Sequence, residues 1–196
     1  DTLVVNAPTV PEILESNIVY TEPEEGHQEE IIIIGWNKRA QYIIKELDYY
    51  VAPGSKVKIV SKFDDPIKVI NRLKKEVNNI ELTFEVNDTT DRDVLVSMHL
   101  ETYDYLILLC YQNYYPIQEA DAQTLITLLH VRNLTEIVES KIKVVSEMLD
   151  IKNRILADIT SADDFIVSDK LISLLMSQVS ENKFLMRVFE DLFDAD

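Results

Sequence analysis

The hexapeptide Gly35-Trp36-Asn37-Lys38-Arg39-Ala40 follows the unbroken apolar run Ile31–Ile34 and opens a stretch with Ala40, Ile43, Ile44 and Leu47 at helical spacing. A glycine turn between a buried strand and a helix is where a dinucleotide-binding fold holds pyrophosphate, because backbone N–H groups and the positive end of the helix dipole face the anion there. That chemistry asks for glycine at the first, third and sixth places of the turn: for the tight bend, for close approach of the pyrophosphate and for helix-on-strand packing. Only Gly35 is present, with Asn37 and Ala40 in the other two places. Ala is accepted at the last place, and Asn tolerates left-handed backbone better than most residues. Trp36 is expected to crowd or cap the pocket. The end of the second strand should offer an acidic side chain to the ribose hydroxyls; here it reads Ser61-Lys62. Ser61 can give one hydrogen bond, and Lys62 either suits an extra phosphate better than a bare ribose or is simply a surface lysine. Asp88 and Thr89, after the third strand, open at the same edge of the sheet. Gly35, Trp36, Asn37, Ser61, Lys62, Asp88 and Thr89 are thus the candidate cofactor-binding residues, in a degenerate pocket expected to bind NAD weakly or not at all.

No catalytic constellation accompanies them. His27 lies in a polar segment, His99 ends a helix and His130 sits within one, with no spacing that joins them to a nucleophile or a metal. Cys110 ends the fourth strand and reads as a buried small hydrophobe. Most of the cluster Asp88, Asp91 and Asp93 is explained by helix capping. Glu119, Asp121, Asp158, Asp163 and Asp164 are carboxylates of the kind that bind Ca²⁺, but none has calcium-loop spacing, and each is expected on solvated surface. No metal site is assigned.

The elements that must position these residues alternate along the chain. Strands are expected at Ile31–Ile34, Lys56–Val60, Ile80–Val86, Tyr105–Cys110 and Lys143–Met148, separated by helices at Arg39–Tyr50, Pro66–Val77, Asp91–Met98 and Pro116–Glu136. Units of this kind give a doubly wound, Rossmann-like α/β fold, a parallel sheet of order 3-2-1-4-5. Beyond it come a helix at Asn153–Ile159, a short extended piece at Asp164–Val167 and helices at Ser168–Val179 and Asn182–Phe193. The last two carry broad apolar stripes, which close the monomer's own core or bury against a second subunit. Residues 1–29 are read as a linker or arm, 30–149 as the Rossmann-like lobe and 150–196 as a helical crossover and dimerisation segment. Three prolines and the stretch TEPEEGHQEE set the arm apart.

Composition narrows the partners. With 19 Lys+Arg against 35 Asp+Glu, the net charge of −16 opposes nucleic acid and anionic membrane surfaces, both of which are bound largely by neutralising phosphate. No apolar run approaches the length of a membrane span. One cysteine among 196 residues excludes an internal disulfide framework and favours a reducing compartment. The chain opens on Asp1 without a Met and is read as a piece of something larger.

GWNKRA after IIII, VAPGSKVKIVS, NDTTDRDVL and the long stretch from Val144 to Phe193 resemble the cytosolic regulatory region of the CASTOR/POLLUX family of ion channels. More broadly they resemble RCK domains, relatives of the TrkA-type nucleotide-binding subunits. The resemblance implies a non-catalytic, ligand-sensing domain of a cation or potassium channel, on the cytoplasmic face of a membrane, with a bacterial inner membrane the expected source. It implies a homodimer through the C-terminal helices, within a gating ring, following a preceding RCK copy. The cofactor stays open between weak NAD or nucleotide binding and a Ca²⁺ site, the latter motivated by the acidic surface and not by any spacing. The alternatives are a fragment of a dinucleotide-dependent oxidoreductase and a soluble TrkA-like transporter subunit. The enzyme reading suffers from one glycine of three and no evident proton donor.

Overall fold

A computed structural model describes residues 27–153 and 164–193, with side chains between 171 and 192 in the second stretch. Most of the arm, the helix expected at Asn153–Ile159 beyond its first residue, and the carboxylates Asp158 and Asp163 lie outside the described residues. The elements are β1 (Glu30–Ile34), α1 (Ala40–Tyr50), β2 (Ser55–Ser61), α2 (Ile67–Leu73), β3 (Ile80–Val86), α3 (Arg92–Ser97), β4 (Tyr105–Leu108), α4 (Ile117–Ile137), β5 (Lys143–Met148), β6 (Asp164–Val167), α5 (Ser168–Glu181) and α6 (Leu185–Phe193).

One parallel sheet runs β3-β2-β1-β4-β5-β6. Its first five strands follow the expected order, and the extended piece at Asp164–Val167 joins them as a sixth, at the edge. The register pairs Ile31–Ile34 with Val57–Val60 on one side and with Tyr105–Leu108 on the other. The isoleucine run is central for a physical reason: in a parallel sheet with helices on both faces, successive side chains enter two separate cores. Ile31 and Ile33 pack with Val57, Ile59, Ile44 and Ile70 beneath α1 and α2. Ile32 and Ile34 pack with Leu106, Leu108, Leu95 and Leu128 beneath α3 and α4. Each such burial contributes about 1.5–3 kcal/mol, so four in a row fix the register strongly.

β4 stops at Leu108, two residues short of the expected end at Cys110. The chain is pulled out of the ladder there: Leu109 N–H still donates to Ile34 C=O at 2.9 Å, but Cys110 N–H turns to a side chain on β5. β6 passes straight into α5 without a loop residue. α5 packs on β6 and on α6, and several large apolar side chains of the pair, Leu171, Ile172, Leu174, Met176 and Leu192 among them, remain exposed.

Candidate functional site

At the carboxyl ends of the strands the turn after β1, the end of β2, the loop after β3, the chain leaving β4 and the end of β5 converge. A cleft forms here because the strand order reverses between β1 and β4. Gly35 has φ +95°, and a Cβ added to it would lie 2.0 Å from Leu109 O. The glycine is therefore demanded by the backbone of the chain leaving β4, independently of any phosphate.

Asn37 is buried and does three things. Its Oδ1 accepts from Arg39 N–H at 2.9 Å, and its Nδ2 donates to Cys110 C=O at 2.9 Å and to Glu147 Oε2 at 2.7 Å. Three further backbone amides around this turn are engaged. Gly35 N–H donates to Val60 C=O, Lys38 N–H to Asn113 Oδ1 and Ala40 N–H to Asn37 C=O. Donors of this kind would face a diphosphate in a working site; these face the chain itself.

Glu147, near the end of β5, is 6% exposed. Its carboxylate accepts from Asn37 Nδ2, from Cys110 N–H at 3.1 Å and from Arg39 Nη2 at 2.6 Å. A negative charge at the start of α1 is favourable because the helix dipole presents its positive end there. Arg39 also donates to Gln112 Oε1. Beside this group, α1 and the ends of β4 and β5 border an apolar groove of about 450 Å³.

The ribose side is held by Tyr111, 3% exposed. Its hydroxyl accepts from Lys62 N–H at 2.9 Å and shares a hydrogen bond with Thr89 Oγ1 at 3.0 Å. Burial raises its pKa, and the hydrogen bonds from Thr89, Lys62 and Ser61 only partly oppose that rise. Its ring meets Phe63 edge-on at 5.6 Å, and Phe63 stacks on Tyr114 at 4.1 Å. Such aromatic pairs each add about 0.5–1.5 kcal/mol beyond area burial. Thr89 is fixed from behind, its carbonyl accepting from Thr127 Oγ1 on α4.

Of the sequence candidates, Gly35, Asn37, Ser61, Lys62, Asp88 and Thr89 do converge on this edge. Trp36 does not cap it: the indole lies in the core beneath α1 and α2 with Ile31, Ala40 and Leu109. Lys62 pairs with Asp88 at 3.2 Å, and Thr90's hydroxyl, ahead of Lys62, lowers the Asp88 pKa. Asp121, expected on solvated surface, is buried instead. It accepts from the N–H groups of Leu149 and Asp150 and from Asn153 Nδ2, tying α4 to the chain leaving β5. Cys110 is buried as expected, and desolvation pushes its thiol far up, so it stays protonated. Among the described residues no group of His, Cys, Asp or Glu has a metal-holding arrangement. Tyr111 and Glu147 were not candidates from the sequence. The one signal for Glu147 is a charge in VVSEM, a segment otherwise read as buried strand.

A dinucleotide does not fit the residues present: the amides of Gly35, Lys38, Arg39 and Ala40 are engaged, a carboxylate stands at the helix start and a phenol fills the adjacent space. Fold and cleft together define a Rossmann-type domain. Residues 31–168 match the TrkA-N domain family, and the chain belongs to it. It is similar to the probable ion channel POLLUX of Arabidopsis thaliana, 24% identical over 94% of this chain and 27% of that protein. It is also similar to the ion channel DMI1 of Medicago truncatula, 22% identical over 94% of this chain and 25% of that one. The chain thus spans about a quarter of the length of these curated relatives. Among solved structures, the TrkA-N domain of the inner membrane protein ybaL from Escherichia coli superposes with a TM-score of 0.56 at 10% identity, over 78% of this chain and 97% of that one. The human SLO3 gating ring superposes with a TM-score of 0.50 at 10% identity, over 71% of this chain and 24% of that one. Both likenesses bear out the fold. No described helix is long and apolar enough to cross a membrane.

Proposed function

We propose that this chain is a non-catalytic, ligand-sensing regulatory domain of a cation channel of the CASTOR/POLLUX type, working on the cytoplasmic face of the membrane. The similarity to named ion channels over 94% of the chain carries the reading. The engaged strand-end cleft supports it, since hydride transfer needs a cofactor seated where Glu147 and Tyr111 now stand. In this reading α5 and α6 pair with the same helices of a second copy, and dimers of this kind build a gating ring together with a preceding RCK copy.

The pairing is supported by an apolar groove of about 630 Å³ between α5 and α6, lined by Leu175, Met176, Val179, Met186 and Phe189. Burial of several side chains of this size, at about 1.5–3 kcal/mol each, outweighs the cost of association. The contact must be apolar at its centre because the net charge of −16 makes two copies repel. Sedimentation equilibrium of the 196-residue chain at tens of micromolar tests this: a twofold dimer is expected, and a monomer overturns it. Currents through the full-length channel carrying Met176→Asp test the wider role. Gating identical to the unmodified channel would count against it.

A further inference from the structure

We infer that the nucleotide cleft of this domain is closed by two of its own side chains: the Glu147 carboxylate takes the place of the diphosphate, and the Tyr111 phenol takes the place of the ribose. The inference goes beyond the regulatory role, because it states which input the domain cannot receive and which residues forbid it.

The two substitutions match the two halves of a nucleotide in chemistry as well as position. A diphosphate brings negative charge and hydrogen-bond acceptors to the start of the first helix. Glu147 brings the same: one charge, with acceptor oxygens filled by an Asn37 amide, the Cys110 backbone and the Arg39 guanidinium. A ribose brings hydroxyls to the end of the second strand. Tyr111 brings a hydroxyl to that place, bonded to Lys62 N–H and Thr89 Oγ1. The two come from different strands' ends, β5 and β4, so the closure is not the accident of one loop. A phosphate entering beside Glu147 would meet like charge in a low-dielectric setting and find the amides of Lys38, Arg39 and Cys110 engaged. A nucleoside would have to expel a ring held by Phe63, Tyr114 and Tyr115. The residues that looked like a worn nucleotide site are accordingly the inner walls of a filled one, and regulatory ligands must act on some other surface.

Two variants separate the halves. Glu147→Gln keeps the shape and most hydrogen bonds but removes the charge; Tyr111→Ala opens the ring's space. Amide shifts of residues 35–39 and 61–62 in the full 196-residue chain would be followed by NMR during titration with pyrophosphate, adenosine and ADP-ribose. The unmodified chain should show no saturable shift with any of the three at millimolar concentration. Glu147→Gln should gain pyrophosphate affinity and Tyr111→Ala should gain adenosine affinity, each by roughly tenfold or more over the unmodified chain. Saturable ADP-ribose binding to the unmodified chain at those amides would overturn the inference. So would a folded pair of variants that gains nothing. If Tyr111→Ala does not fold, Tyr111→Leu serves for the same half, and the titration of the unmodified chain still decides.

Discussion

The strand-end cleft and the α5–α6 hairpin are built on opposite rules. In the cleft, polar groups that could meet a ligand are spent on one another, and its two central side chains are nearly inaccessible, at 6% for Glu147 and 3% for Tyr111. On the hairpin, apolar groups that would ordinarily be covered lie open: Met176 and Leu192 are each 68% exposed. Buried polar groups with satisfied partners rigidify a site and make it costly to alter, whereas exposed apolar surface is a standing drive toward association. The contrast teaches where a Rossmann domain can keep its capacity to respond after its pocket has closed: on the surface appended to the sheet.

Four substitutions test how deep that contrast runs. The largest effect is expected at Gly35, where Ala would meet Leu109 O at 2.0 Å and hold a φ that L residues resist. Gly35→Ala should cost about 3–4 kcal/mol, read as a lowered urea midpoint. Arg39→Ala comes next. It strips Glu147 of its counter-charge, and because Arg39 is itself a third exposed, the loss is smaller than for a fully buried pair, about 2 kcal/mol. Urea unfolding of Arg39→Ala beside an Arg39→Ala/Glu147→Gln double variant should show the second change restoring part of the loss, as expected when an orphaned charge is the cause.

Tyr111→Phe deletes one oxygen and leaves Lys62 N–H without its acceptor, for about 1–2 kcal/mol at neutral pH. It also changes the alkaline limb. Because folding raises the Tyr111 pKa, its contribution is fully present below the ordinary tyrosine value of about 10 and is lost as pH rises through the folded value. Stability measured from neutrality to about pH 11 should fall less steeply in Tyr111→Phe than in the unmodified chain. The smallest effect on folding should come from Met176→Asp, within about 0.5 kcal/mol by urea at concentrations where the chain is monomeric. Light scattering should nevertheless show that this variant no longer dimerises. A large loss of monomer stability instead would mean that the hairpin belongs to the monomer's core.

Much of this fold was legible because two-sided burial writes itself into the chain: IIII and YLILL, short apolar runs rich in β-branched or aliphatic residues and set between turns, are what a sheet covered on both faces hides. Turns at Gly35 and Pro53-Gly54 mark the strand boundaries in the same way. The cleft was legible only as an outline. Gly35, Asn37, Ser61 and Thr89 could be placed on one edge from strand order, but what fills that edge comes from afar. Glu147 meets Asn37 across 110 positions, and Tyr111 meets Lys62 across 49. Nothing local in CYQNYY says that its first tyrosine turns inward while the other two lie nearer the surface. Asp121 was misread for a related reason: on a helix of mixed polarity its acidic side chain looks solvated until β5 delivers the Leu149 and Asp150 amides to it.

The direct passage of β6 into α5 has a mechanical consequence. With Val167 paired to Met148 and Ser168 already helical, no slack separates the sheet from the hairpin. α5 has 14 residues and so extends about 21 Å from its anchorage. A tilt of about 10° at Ser168 therefore swings its far end by about 4 Å, and the same torque falls on a single edge strand held by four register pairs to β5. The helix is a crank with its axle set in the sheet, and a load applied at the hairpin arrives at the strand that carries Glu147.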